Sequence, residues 1–123
     1  MTIRQKLAST MLAACTALLF SNPVNAADNF VRISDGNKFN QLVVGRKLYL
    51  DENYVVVNKN GSLKGKFGGK TLKGAWEWRD GYWCRTLTTH SKDTDCQLWE
   101  VNGNQFIVTR DRGKGKGFTY IAK

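Results

Sequence analysis

Residues 61–87 read GSLKGKFGGKTLKGAWEWRDGYWCRTL, and two turn sequences divide them into three strands. Gly68-Gly69 and Asp80-Gly81 are typical of two-residue hairpin turns, whose central residues adopt a positive φ. If both turns form, the register places Phe67 opposite Lys70, Gly65 opposite Leu72, Leu63 opposite Gly74, Trp78 opposite Trp83 and Trp76 opposite Arg85. Both turns then put the large apolar residues on a single face, as a correct register requires.

The two faces of these strands differ in chemistry. The predicted inward face carries Leu63, Gly65, Phe67, Leu72, Gly74, Trp76, Trp78, Trp83 and Leu87. The predicted outward face carries Lys64, Lys66, Lys73, Glu77 and Arg79. Inward glycines on adjacent strands, here Gly65 and Gly74, are typical of sheets that bend and close into a barrel.

Turn residues recur at short intervals through the rest of the chain. Asn102-Gly103 predicts another two-residue turn, which would pair Trp99 with Phe106 and place Val101 and Val108 on their side. Evenly spaced short strands of this kind predict an all-β protein, a small antiparallel β-barrel with meander connections.

One short helix is predicted before the strands, over residues 36–44. Apolar residues recur there at helical spacing, and Ser34 and Asp35 are good N-cap residues. Gly45 suits the position that ends a helix.

The first 26 residues have the pattern of a secretory signal peptide. Two basic residues open the chain, an uncharged apolar run covers residues 7–20, and small residues permit cleavage after Ala26 or Ala27. We therefore expect a periplasmic or secreted protein with a single barrel domain over residues 27–123. No apolar run is long enough for a transmembrane span.

A lipid anchor is the alternative fate of this N-terminus. Leu12-Ala13-Ala14-Cys15 resembles the lipobox of bacterial lipoproteins, in which the cysteine is lipidated. The apolar run continues past Cys15 to Phe20, whereas a lipobox should end it. This continuation favours the cleaved signal peptide.

The chain is strongly basic. It has 123 residues with 19 Lys and Arg, 10 Asp and Glu and a formal net charge of +9. Loss of Arg4 and Lys6 with the signal peptide leaves seventeen basic and ten acidic residues, or +7. The 41% of hydrophobic residues is enough for a core, which excludes a disordered chain.

Basic residues fall into two groups that we expect on the surface. They are Lys64, Lys66, Lys70 and Lys73 in the strands, and Arg110, Arg112, Lys114 and Lys116 in a glycine-rich segment. Lys64 and Lys73 are predicted cross-strand neighbours, an arrangement that costs stability. This cost is compatible with contact to an anionic envelope component or another protein, and the alternative is that the lysines only keep the protein soluble. The exported compartment argues against nucleic acid.

The two cysteines that remain after cleavage, Cys84 and Cys96, predict one disulfide in an oxidising compartment. The alternative is a zinc site with His90 and with Asp93 or Asp95. The spacing lacks the close pair of cysteines found in structural zinc sites, so we expect neither a metal nor a cofactor.

The predicted interior supplies the candidate ligand-binding residues, which are Trp76, Trp78, Trp83, Arg85 and Trp99. In a domain of this size we expect the aromatic groups to fill the core, and the alternative is that they line a ligand cavity. Arg85 is expected to stack on Trp76 as a cation–π pair, or else to contact an acidic ligand.

Catalytic machinery is not evident. The chain has one histidine, scattered carboxylates and no obvious nucleophile beside a base, so we expect no enzyme activity. The leading hypothesis is a non-enzymatic exported accessory or binding protein that contacts anionic envelope components through its basic surface. The alternative is a small-ligand carrier that uses the tryptophan-lined interior.

The run from Gly61 to Cys96 carries Gly74-Ala75-Trp76 and, further on, Gly81-Tyr82-Trp83-Cys84-Arg85. In these motifs it resembles small exported alphaproteobacterial proteins of uncharacterised function that are expected to be lipocalin-like, or calycin-like, barrels. The resemblance implies a barrel fold, and it implies no activity.

Overall fold

The strands follow one another as a meander and close into a ring in the computed structural model, which describes residues 29–123. The elements are β1 (Val31–Arg32), α1 (Gly36–Leu42), β2 (Lys47–Leu50), β3 (Asn53–Val57), β4 (Ser62–Phe67), β5 (Lys70–Arg79), β6 (Tyr82–Leu87), β7 (Thr94–Asn102), β8 (Gln105–Thr109), a 3₁₀ turn (Asp111–Gly113) and β9 (Gly117–Ala122). The predicted signal peptide, its cleavage site and Cys15 lie outside the described residues.

Eight strands form the closed barrel. Each of β2 to β8 pairs antiparallel with the next strand, and β2 also pairs with β9, which completes the ring. The two-residue strand β1 pairs with β7 beyond the end of β6. The prediction of an all-β, small antiparallel barrel with one short helix is confirmed.

The register predicted from the two hairpin turns is also confirmed. Every predicted pair between β4 and β5 and between β5 and β6 is present. Gly68 and Gly69 have φ of 58° and 77°, and Asp80 and Gly81 have φ of 52° and 85°. Positive φ at both central residues is the requirement of the type I′ turn.

The strand pairing predicted from the third turn, Asn102-Gly103, is wrong by two residues. The turn residues are Gly103 and Asn104, so Trp99 pairs with Val108 and Val101 pairs with Phe106. Gly103 has a φ of 61° and Asn104 does not share a positive φ, which fits a turn that needs glycine only at its first central position. A shift by two keeps the predicted face of every side chain.

The helix begins at its predicted cap and ends earlier than predicted. Asp35 accepts a hydrogen bond from the backbone N–H of Lys38 at 2.9 Å. The last helical residue is Leu42 rather than 44, because the N–H of Gly45 already donates to the carbonyl of Val57 in β3. Within residues 29–123, no helix has the length and apolar character needed to cross a membrane.

The inward glycines mark two places where strands approach too closely for any side chain. A Cβ on Gly65 would lie 2.0 Å from the carbonyl oxygen of Tyr54, and one on Gly74 would lie 2.5 Å from that of Thr86. Both obstacles are backbone atoms, which cannot rotate away. The predicted bends at these glycines are therefore a steric requirement of the closed sheet.

Substitution of Gly65 tests this requirement. We expect Gly65→Ala to lower the free energy of unfolding by about 3 kcal/mol or more, because the added methyl group collides with β3 backbone. Gly117→Ala is the matched control, since its Cβ would meet only side-chain atoms, the Thr109 hydroxyl at 3.3 Å and Ile107 Cγ2 at 3.8 Å. Denaturant unfolding of both variants measures the difference, and equal losses would contradict the account.

The predicted disulfide is present. Cys84 and Cys96 face each other across β6 and β7, with Cα atoms 3.9 Å apart, on the side of the sheet opposite Trp83. Both sulfur atoms are bonded to each other, so the alternative zinc site with His90 is wrong. No group of three His, Cys, Asp or Glu side chains that could hold a metal occurs among the described residues.

Removal of the disulfide should weaken the fold without changing it. We expect Cys84→Ala with Cys96→Ala to lower the free energy of unfolding by about 3 kcal/mol, the cost of freeing a short loop in the unfolded chain. Circular dichroism should still report the barrel at room temperature. Identical denaturation midpoints for the oxidised, fully reduced and double-alanine proteins would contradict this expectation.

Candidate functional site: the hollow end of the barrel

One half of the barrel interior is packed with aromatic rings. Phe39, which is fully buried, projects from α1 into this half. Its ring centroid lies 5.5, 5.1, 6.2 and 5.1 Å from those of Trp76, Trp78, Trp83 and Trp99 respectively. The helix therefore acts as a plug, and all four tryptophans gather around it.

The other half of the interior is hollow. It holds a cavity of about 410 Å³. The apolar lining consists of Leu50, Val55, Leu63, Phe67, Leu72, Leu87, Val108 and Phe118. Trp83 and Trp99 separate the two halves, since they contact Phe39 and also line the cavity. The expectation of a filled core is correct for the helix end and wrong for the opposite end, where aliphatic side chains leave the centre empty.

The indole N–H groups of Trp83 and Trp99 are buried and find no hydrogen-bond partner among residues 29–123. The two rings meet edge to face, with centroids 5.3 Å apart and an interplanar angle of 74°. Phe39 and Phe106 approach Trp99 in the same manner. Edge-to-face packing of this kind offers aromatic faces as weak acceptors for the indole N–H groups.

Arg85 lies in the cavity wall, and it does not make the predicted contact with Trp76. The two residues are cross-strand partners, yet the guanidinium turns to the other side, toward β7. It donates to the carbonyl of Asp93 at 3.0 Å and lies 3.9 Å from a carboxylate oxygen of Asp95. An anionic side chain and a carbonyl attract this group more strongly than an indole face does, which explains the difference.

The polar groups of the cavity differ in exposure. Arg85 and Gln97 are buried, each with 7% of its surface exposed. His90, Ser91 and Arg110 are exposed and also line the cavity, so they mark its mouth. The cavity is therefore apolar in its depth and cationic on one side.

His90 connects two segments of the chain at the mouth of the cavity. Its Nε2 lies 3.0 Å from the carbonyl of Phe67 at the end of β4, and its Nδ1 lies 2.9 Å from the hydroxyl of Thr89. Because a carbonyl oxygen only accepts, the first contact requires the proton on Nε2. His90 thus joins the β6–β7 loop to the β4–β5 hairpin, a structural role.

Tyr120 and Arg110 complete the cationic side. Burial raises the pKa of Tyr120, while the nearby charges of Arg110 and Arg85 act to lower it. Burial lowers the pKa of Arg85, Asp95 opposes that shift, and Arg110 adds to it. The two guanidinium groups and the phenol are therefore electrostatic neighbours.

The candidate residues separate into two groups. Trp83, Arg85 and Trp99 line the cavity, whereas Trp76 and Trp78 pack against the helix. Sequence reasoning missed Gln97 and Tyr120. Phe118, Tyr120 and Ala122 recur at every second position of β9, and this spacing was the sequence signal that places Tyr120 on the inward face.

The strand lysines lie outward as predicted. Two cross-strand rows run side by side over β2, β3, β4 and β5, and we refer to them as the lysine face: Lys47, Val56, Lys64 and Lys73 in one row, and Tyr49, Tyr54, Lys66 and Thr71 in the other. The face has no carboxylate, and none of its lysines forms a salt bridge within residues 29–123. Lys70 lies beside it at the β4–β5 turn.

The second basic group is not a single patch. Arg110 lies at the cavity mouth with its guanidinium 5.5 Å from the Phe118 ring centroid. Arg112 lies 5.8 Å from the Tyr82 ring, and Lys116 lies 5.3 Å from that of Phe118. Lys114 is exposed in the same segment. The sequence prediction of a surface cluster therefore did not anticipate that Arg110 lies at the cavity mouth.

Comparison of the chain with protein-family models, with curated proteins and with solved structures finds no match. The cavity and the lysine face are therefore the two features from which a function can be proposed.

Proposed function

We propose that the protein is an exported, non-enzymatic carrier that holds a small, largely apolar ligand in the hollow half of the barrel. The supporting observation is the cavity of about 410 Å³. Ligand pockets in proteins have volumes of about 300–1,000 Å³. The disulfide and the predicted signal peptide support export.

The walls of the cavity support the same proposal. The cavity opens at a mouth lined by the exposed His90, Ser91 and Arg110, so it is accessible from solvent. Because the walls are mainly aliphatic and aromatic, an apolar ligand fills this space more favourably than water does.

A pair of tryptophan substitutions on β5 tests the carrier. Leu72 is buried in the cavity wall, and Thr71 is exposed on the other side of the same strand. We expect Leu72→Trp to weaken binding of the neutral fluorescent probe N-phenyl-1-naphthylamine about tenfold or more, because the indole occupies the cavity. Thr71→Trp should bind the probe as the unchanged protein does.

The melting temperature of Leu72→Trp shows whether a loss of probe binding comes from a filled cavity or from a damaged fold. The added indole enters existing space, so Leu72→Trp should keep its melting temperature within a few degrees, unlike an overpacked core. Equal probe binding by both variants, or no probe binding by the unchanged protein, would contradict the carrier.

The lysine face supports a second function, contact with an anionic envelope component or with an acidic protein surface. Lys64 and Lys73 lie directly opposite each other, and both are exposed. Like charges in this position destabilise a sheet, and no carboxylate of the face compensates them. Lys47 lies 4.0 Å from the ring centroid of Tyr54, so aromatic groups adjoin the charges.

Removal of two charges tests this contact. We expect Lys64→Gln with Lys73→Gln to leave the fold intact or to stabilise it by about 0.2–1 kcal/mol, because the repulsion is relieved. Retention on a heparin or lipopolysaccharide matrix should decrease, and the difference should disappear at high salt. Lys38→Gln with Lys114→Gln removes the same charge elsewhere and should have the smaller effect. Equal retention of both double variants would contradict a role for the face.

A further inference from the structure

The guanidinium of Arg85 is a buried charge with an incomplete set of partners. Its nearest carboxylate oxygen, on Asp95, lies at 3.9 Å, which is longer than a hydrogen bond. The same carboxylate already accepts a hydrogen bond from Gln97 Nε2 at 2.8 Å and another from the backbone N–H of Asp111 at 3.0 Å. Asp95 is therefore shared among three groups and compensates Arg85 only in part.

The charged side chains that line the cavity, Arg85 and Arg110, are both positive, whereas Asp93 and Asp95 lie outside the lining. Arg110 brings a second guanidinium to this side, and Tyr120 brings a hydroxyl that can donate a hydrogen bond. The carboxylates that act on Arg85 are Asp95 and, more weakly, Asp93. A buried charge is stable only when it is paired, so this side of the cavity is suited to an anion.

We infer that the ligand carries a single anionic head group, such as a carboxylate, that binds Arg85, Arg110 and Tyr120, with its apolar part lying against Leu63, Leu72 and Trp83. This inference rests on the proposed carrier function and names the class of ligand. The guanidinium at the mouth guides the head group inward, and the buried guanidinium then binds it by charge-assisted hydrogen bonds. The apolar depth accepts the chain, so the bound ligand lies with its head group nearest the mouth.

Decanoate and decanol test the inference because they share an alkyl chain and differ in charge. Displacement of N-phenyl-1-naphthylamine from the purified protein gives both affinities. We expect decanoate to bind about tenfold or more tightly than decanol, the gain typical of hydrogen bonds to a charged group. Arg110→Gln and Arg85→Met should each reduce decanoate affinity about tenfold and leave decanol affinity unchanged.

Arg112→Gln is the matched control, since it removes the same charge from an exposed residue two positions away. It should change neither affinity. Arg110 is exposed, so its variant tests the site even if Arg85→Met fails to fold. Equal binding of decanoate and decanol, or equal effects of Arg110→Gln and Arg112→Gln, would overturn the anionic head group and leave the carrier standing. Failure of both compounds to displace the probe would overturn the head-group site, and failure of the probe itself to bind would overturn the carrier as well.

Discussion

The contact of Phe39 with four tryptophans joins the helix to the barrel, and the division of the interior depends on it. The ring of Phe39 lies within 6.2 Å of every tryptophan centroid, and these residues come from β5, β6 and β7. Aromatic pairs of this kind contribute about 0.5–1.5 kcal/mol each beyond the burial of their surface. Because the helix supplies the centre of this cluster, the largest side chains of the protein are concentrated at one end.

That concentration leaves the opposite end to shorter side chains. Leu63, Leu72 and Val108, from β4, β5 and β8, line the cavity there, and they are too short to fill it. Gly65 and Gly74 let the sheet bend sharply enough to close, since backbone occupies the space where a Cβ would lie. The disulfide joins β6 and β7 from outside the barrel and takes no volume from the cavity. The result is a stable plug at one end and a binding volume at the other.

The parts of the fold that local chemistry determines could be predicted from the sequence. Gly68-Gly69 and Asp80-Gly81 permit a single tight turn each, so the register of β4, β5 and β6 follows from them. Gly103 is ambiguous, because glycine suits the second position of one hairpin turn and the first position of another. The resulting register error is two residues, and side chains of a strand alternate between its two faces. Each residue was therefore still assigned to the correct face.

The position of a side chain along the barrel interior, and its contacts with residues distant in sequence, could not be predicted. Alternation places Trp76 and Trp83 inward alike, and only the position of Phe39 decides which of them reaches the cavity. Arg85 was predicted inward, yet its choice of Asp95 over Trp76 depends on a loop that the sequence does not position. Arg110 lies in a glycine-rich segment that is typical of an exposed loop, and its proximity to Tyr120 arises only from the pairing of β8 with β9.

Xenon binding tests the unequal filling of the barrel most directly. Xenon enters apolar cavities, and its anomalous scattering locates it in crystals under pressure. The account predicts xenon in the hollow half, between Leu63, Leu72 and Val108, and none beside Phe39. A barrel without xenon, or xenon bound among the tryptophans at the helix end, would contradict it.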